Sequence, residues 1–152
     1  MIKIQYSKDI KASSETVYRT MLGLDDIKTY EQWTTLFNPT SSYEGTWEKG
    51  SKIYFIATDQ NGKKGSLISE IAENEPGKFV SIRHIGLLDG DKEITEGADV
   101  EEWAGGLENY AFSENNGITT VTIETNIDEK HQSFFDDIWP KSLDILQQLS
   151  ES

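Results

Sequence analysis

The 152 residues predict an α+β domain: a curved antiparallel sheet of about six or seven strands wrapped around one long C-terminal helix, with two short helices after the first strand. Three observations predict it. From Asp128 to Leu149, Phe135, Ile138, Trp139, Ser142, Leu143, Leu146 and Leu149 recur at spacings of three and four, which places them on one helical stripe. Between Thr34 and Asp128 the chain reads as short strands separated by Gly, Asn and Pro turns. Helical spacing returns only between Ser13 and Trp33.

The first strand is carried by Ile2, Ile4, Tyr6 and Ile10, which share one parity against Lys3 and Gln5. Ser13 caps the helix that follows; its apolar face is Val17, Met21 and Leu22 beside Tyr18, and it ends near Gly23. Asp25 or Asp26 starts a second short helix running through Ile27 and Tyr30 to Trp33. Strands are expected at Tyr43 to Trp47, Lys52 to Thr58, Gly65 to Ala72, Phe79 to Leu88, Leu107 to Ser113 and Ile118 to Thr125. Asn61-Gly62 is the strongest hairpin signal, a two-residue turn with positive φ at both positions; Pro76-Gly77 and Asn116-Gly117 are further turns. Such strands form a meander, and the last helix is the one element left to cover its apolar face. Asp128 is the expected N-cap of that helix, and Pro140 is expected to bend it.

The motifs at these positions are Ile10 to Tyr18 (IKASSETVY), Trp33, Tyr43 to Gly50 (YEGTWEKG), Gly65 to Ile71 (GSLISEI), Pro76 with Phe79 to His84 (FVSIRH), and Trp139 to Leu143 (WPKSL). Together they resemble the SRPBCC superfamily and, within it, bacterial proteins similar to the C-terminal domain of the activator of the heat-shock protein 90 ATPase. The resemblance spans essentially the whole chain. It implies the helix-grip fold, in which the sheet grips the C-terminal helix and encloses a cavity for an apolar ligand. The motifs are structural rather than catalytic. Ser14 stands where many relatives carry proline, which leaves the Ser13 cap intact. The family name implies a chaperone as one partner, although no second domain of the kind found in the eukaryotic activators is seen.

Length indicates a single domain over residues 1–152. A formal net charge of −13, from 27 acidic and 14 basic residues, repels a phosphate backbone and an anionic membrane surface, so neither nucleic acid nor membrane is an expected partner. The opening MIKIQYSKDIK has no apolar run of signal-peptide length, and no segment reaches the roughly 20 apolar residues that span a bilayer, so a cytoplasmic location is expected. The absence of cysteine removes disulfide and thiolate chemistry, and His84 and His131 alone are too few for a histidine-built metal site. No cofactor or metal is expected.

The aromatic residues Trp33, Phe37, Tyr54, Phe55, Trp103, Tyr110, Phe112, Phe134, Phe135 and Trp139 are candidates for a pocket that takes an apolar molecule with a few polar groups. Core packing accounts for most of them singly, whereas a deeply curved sheet facing one helix is hard to fill. Val80, Ile82 and His84 share a face, as do Glu108, Tyr110 and Phe112; for Ile53/Phe55 against Tyr54/Ile56 periodicity does not choose. His84 suits either a core bond to a backbone carbonyl or proton handling, and Glu108 either a pairing with Arg83 or an acid role. The acidic stretch Asp89, Asp91, Glu93, Glu96, Asp99, Glu101 and Glu102 fails as a calcium loop, since the loop glycine falls at Ile94 and the bidentate glutamate at Val100. It reads as a solvated loop that can close over one cavity end beside Leu87, Leu88 and Trp103. The expected ligand-binding set is Trp33, Phe55, His84, Trp103, Tyr110, Phe135 and Trp139, with no catalytic residue assigned. A small apolar or amphipathic molecule is the expected partner; a polyketide cyclase-like enzyme using the same cavity and a chaperone-interacting module are the alternatives.

Overall fold

The computed structural model describes residues 1–101 and 103–152; Glu102, the last of the acidic stretch, lies outside them. The strands are β1 (Ile2–Ile10), β2 (Ser42–Gly45), β3 (Lys52–Thr58), β4 (Lys64–Glu75), β5 (Phe79–Asp89), β6 (Lys92–Ile94), β7 (Leu107–Asn115) and β8 (Ile118–Ile127). The helices are α1 (Ser14–Leu22), α2 (Ile27–Trp33), α3 (Ala98–Glu101) and α4 (Gln132–Glu151), with a 3₁₀ turn at Glu129–His131 before the last. The strands pair antiparallel in the order β1-β8-β7-β5-β4-β3-β2, and β6 folds back on β5. This is the helix-grip fold: one curved sheet with a long C-terminal helix against its concave face.

Curvature has an identifiable source. Ile71 pairs Ile82 while Glu73 pairs Ser81, leaving Ala72 extra in β4; Ile68 pairs Gly86 while Ser69 pairs His84, leaving Ile85 extra in β5. Each bulge bends and twists its strand. The chain closes on itself where β1 pairs β8 along its whole length, from Ile2 opposite Ile127 to Ile10 opposite Thr119.

Helix capping follows the residues that predicted it. Ser13 accepts from the Thr16 amide at 3.2 Å, Asp26 accepts from the Lys28 amide at 3.0 Å, and Gly23 ends α1 at φ 67°. On α4 the buried stripe is Trp139, Ser142, Leu143 and Leu146, extended to Ser150; Phe135, Ile145 and Leu149 are partly buried against the core.

The structure corrects the sequence reading at several points. Asp128 caps the 3₁₀ turn, accepting from the Lys130 amide at 3.1 Å, and α4 proper begins after it. Asn61-Gly62 is not a two-residue turn: Asp59 Oδ1 accepts from both the Asn61 and Lys63 amides at 2.9 Å and organises a wider loop, with positive φ at Gly62 alone. The two-residue turn with both φ positive is Asn116-Gly117, at 55° and 80°. The acidic stretch contains β6 and α3 rather than loop alone, with Glu93 held by Lys52 Nζ at 3.1 Å. Nor is α4 the sole cover of the sheet. Trp33 and Tyr30 of α2 and Val17, Met21 and Leu22 of α1 lie in the same core, and Trp33 sits 5.7 Å ring to ring from Trp139.

Two outcomes test this account. A chain ending at Ile127 loses Trp139, Leu143 and Leu146 from the core and should show no cooperative unfolding in a denaturant melt. Trp139→Ala should cost about 3 to 5 kcal/mol in the same measurement, because the ring is 3% exposed. A loss of a few tenths would show that the ring does not support the fold.

Candidate ligand-binding cavity

Between the concave face and the N-terminal half of α4 lies a cavity of about 380 Å³. Its sheet wall comes from Phe55 of β3, Leu67 of β4, His84 of β5, Glu108 and Tyr110 of β7, and the end of β8. The parity left open in β3 is thereby resolved, since Ile53 is buried and Phe55 faces the cavity while the Tyr54 hydroxyl donates to Glu93 on the other face. Across from the sheet stand Tyr30 and Trp33 of α2, Phe37 after it, and Phe135 and Trp139 of α4. Thr125, Asn126, Ile127, Asp128 and His131 line it where β8 hands over to α4, and Trp103 reaches it from the loop before β7.

All seven residues singled out from the sequence line this one cavity. Of the wider aromatic set, Phe37 joins them and three do not. Phe112 packs edge-on against Tyr18 at 5.7 Å, Tyr54 points to the convex face, and Phe134 is 48% exposed. Tyr30 was missed although it lies one helical turn before Trp33, the spacing that puts both on one face. The polar residues from Thr125 to Asp128 carry no periodic signal, because they sit at the end of a strand.

The aromatic wall is a connected stack. Trp139 meets Phe37 at 4.9 Å, Trp33 at 5.7 Å and Tyr6 at 6.2 Å, and the Trp33 indole N–H is held by the Met21 carbonyl at 2.8 Å. Such rings are stiff once packed, so the wall is pre-formed.

Set into this apolar wall is a polar chain. Ser69 Oγ bonds His84 Nδ1 at 2.8 Å, His84 Nε2 lies 3.3 Å from Glu108 Oε1, and the Tyr110 hydroxyl donates to Glu108 Oε2 in a short hydrogen bond. Glu108 is therefore paired with His84; Arg83, the partner considered from sequence, bonds Glu70 at 3.1 Å instead. Burial pushes the Glu108 carboxyl up, but the hydrogen bond and charge of His84 and the Tyr110 hydroxyl together outweigh it and hold the group below its usual value, hence ionised. Burial and then the charge of Glu108 push the Tyr110 phenol well up, and the same two causes raise Tyr30.

Chemically the chain resembles a nucleophile triad only in residue types. Ser69 is fully buried behind the wall and does not line the cavity, so its hydroxyl orients the imidazole rather than attacking an occupant. Among the described residues no three His, Cys, Asp or Glu side chains gather to hold a metal ion, and no helix is long and apolar enough to cross a membrane.

No family model and no curated protein matches the chain in sequence. Solved structures match it in fold. The Aha1 dimer from Colwellia psychrerythraea aligns at TM-score 0.69 and 20% identity over 99% of this chain and 97% of that one. NE0264 from Nitrosomonas europaea aligns at 0.72 and 14% identity over 97% and 93%, and DynU16, from the dynemicin biosynthetic locus, at 0.69 and 12% over 99% and 47%. At these identities the likeness is one of fold, the helix-grip fold that the motif resemblance implies.

Tyr6, Tyr18, Tyr30, Tyr43 and Tyr110 all have phenols raised above the ordinary value of 10.0, each first of all by burial. The unfolded chain thus releases these protons first as pH rises, so their contribution to stability is intact below about pH 10 and is lost above it. Phenolate absorbance near 295 nm should accordingly appear late and together with the loss of far-ultraviolet dichroism. Release of most of these protons well before unfolding would contradict the burial of the phenols.

Proposed function

We propose that the protein binds one small apolar or amphipathic molecule in the cavity between the sheet and α4. The observation that carries the reading is a concavity of about 380 Å³ walled by aromatic rings and holding one satisfied polar chain. That size lies within the roughly 300–1,000 Å³ usual for small-molecule sites, and a mainly apolar lining with a few convergent polar groups is their usual chemistry. The occupation of the same fold by a protein of a biosynthetic locus accords with a small-molecule occupant. Burying apolar surface supplies the affinity, at about 25 cal/mol per Å².

A second reading rests on a specific feature. His84 is clamped between Ser69 and Glu108 at the cavity wall, which would let it pass a proton to or from an occupant. The binding reading requires no turnover; the enzymatic one requires that loss of His84 slow it.

The experiment is a titration with N-phenyl-1-naphthylamine, an uncharged apolar fluorophore. It should bind at about one site per chain and alter tryptophan emission, because Trp33, Trp103 and Trp139 line the cavity. Leu67→Trp, which fills the cavity from its wall, should abolish the signal with the fold retained. His84→Ala should leave most of the affinity, since a single hydrogen bond is worth about 0.5 to 1.5 kcal/mol. Absence of saturable binding, or binding untouched by Leu67→Trp, overturns the reading. A substrate whose turnover falls about 100-fold in His84→Ala with binding preserved would establish the enzymatic one instead.

A further inference from the structure

Resting on the binding reading above, we infer that the occupant presents a hydrogen-bond donor, neutral or cationic, to Glu108, and that the cavity selects against amphiphiles with a carboxylate or phosphate head.

The inference follows from where the hydrogens at the polar wall already point. Tyr110 directs its only hydroxyl hydrogen at Glu108 Oε2. His84 directs Nε2 at Glu108 Oε1 over 3.3 Å, and an ionised carboxylate can only accept, so the imidazole hydrogen on Nε2 is taken up there. This holds for either charge state of the ring, because Nδ1 faces the Ser69 hydroxyl, which can donate or accept. Both donors beside Glu108 are thereby committed to Glu108 itself. A carboxylate has about four lone-pair sites, of which this arrangement uses two. What the wall still offers an occupant at Glu108 is acceptor capacity.

Charge points the same way. Among the described residues that line the cavity there is no lysine and no arginine; His84 is engaged with Glu108 and His131 lies at the β8–α4 end beside Asp128. The whole chain carries a formal charge of −13, so no distant field offsets this. An anionic head at Glu108 would meet a half-buried like charge whose one adjacent cationic partner, His84, is already engaged with it. An ammonium head gains the opposite: a carboxylate acceptor, in a cavity whose wall also holds the Tyr110, Trp33 and Trp139 rings. The held-down carboxyl of Glu108 is in keeping with a group that stays charged while the cavity is filled.

Three probes sharing one apolar body separate the possibilities: 2-naphthylmethylamine, 2-naphthalenemethanol and 2-naphthoate, titrated calorimetrically at pH 7 and moderate salt. The amine and the alcohol should each bind about tenfold or more tighter than the carboxylate, the difference expected when a charged acceptor meets a donor rather than a like charge. Glu108→Gln should weaken the amine about tenfold and strengthen the carboxylate, with the alcohol changing least. Binding of the carboxylate as tightly as the amine overturns the head-group assignment and leaves the cavity reading standing; so does a preference that survives Glu108→Gln in a folded variant. Binding by none of the three removes both. If Glu108→Gln does not fold, the ranking by the unaltered protein decides the matter.

Discussion

One extra residue in each of β4 and β5, Ala72 and Ile85, bends the sheet so far that a single helix, about 10 Å across, cannot fill the concavity it faces. α4 settles toward the β1 edge, and the space remaining is divided between a dry core and a cavity. The boundary between them is the Trp33–Trp139 contact at 5.7 Å. On one side Leu143 and Leu146 pack with Val17, Met21 and Ile10; on the other the rings face open space. The helix pair after β1 is thus more than a connection between the sheet's two edges, because it supplies one of the two indoles that define this boundary.

A half-buried carboxylate in such a wall is a liability unless it has partners, since an unpaired charge taken out of water costs several kcal/mol. The neighbours meet that need from adjacent strands. Glu108 and Tyr110 are two apart on β7 and so share a face, while His84 and Ser69 are direct partners across β5 and β4. The Ile85 bulge lies immediately after His84, so the strand changes parity just beyond the ring and Leu87 comes opposite Leu67, which lines the cavity. Curvature and polar chemistry therefore arise from the same irregularity.

How much of this was legible in the residues depended on contrast between two faces. In β1 and α4 an apolar side opposes a polar one, and the periodicity picks the buried residues apart from Ser150, while Ile138, also picked, is only partly buried. In β3, Ile53, Tyr54, Phe55 and Ile56 are all apolar, and only the pairing with β4 reveals that Phe55 looks inward. β6 escaped because three residues, Lys92 to Ile94, with two charges give no pattern; they are a strand only because β5 offers a free edge there. At the β3–β4 hairpin the acting residue is Asp59, whose carboxylate gathers two amides, and a side-chain cap of that kind overrides the preference of the Asn-Gly pair beside it. The cavity itself was legible as a surplus of aromatics over what one helix can cover, whereas its polar end at Thr125 to Asp128 became visible only once β8 was seen to run on to Ile127.

The two halves of α4 accordingly do different work. Beyond Pro140, Leu143 and Leu146 are fully or almost fully buried and Lys8 ties Asp144 at 2.8 Å, so this half belongs to the fold's stability. Before it, Phe135 and Trp139 wall the cavity, and proline deprives the helix of the amide that would have bonded the Asp136 carbonyl. The N-terminal half is instead latched to β1, where the Tyr6 hydroxyl donates to Asp136 Oδ1 at 2.7 Å and the same ring stacks on Trp139. It is preceded by a short 3₁₀ turn whose residues are exposed apart from their cap. Local opening follows the segments with the fewest buried apolar contacts and the weakest internal bonding. By that criterion the Leu-rich half, with Leu143 at 1% and Leu146 at 0% exposure, is the last part of α4 to open.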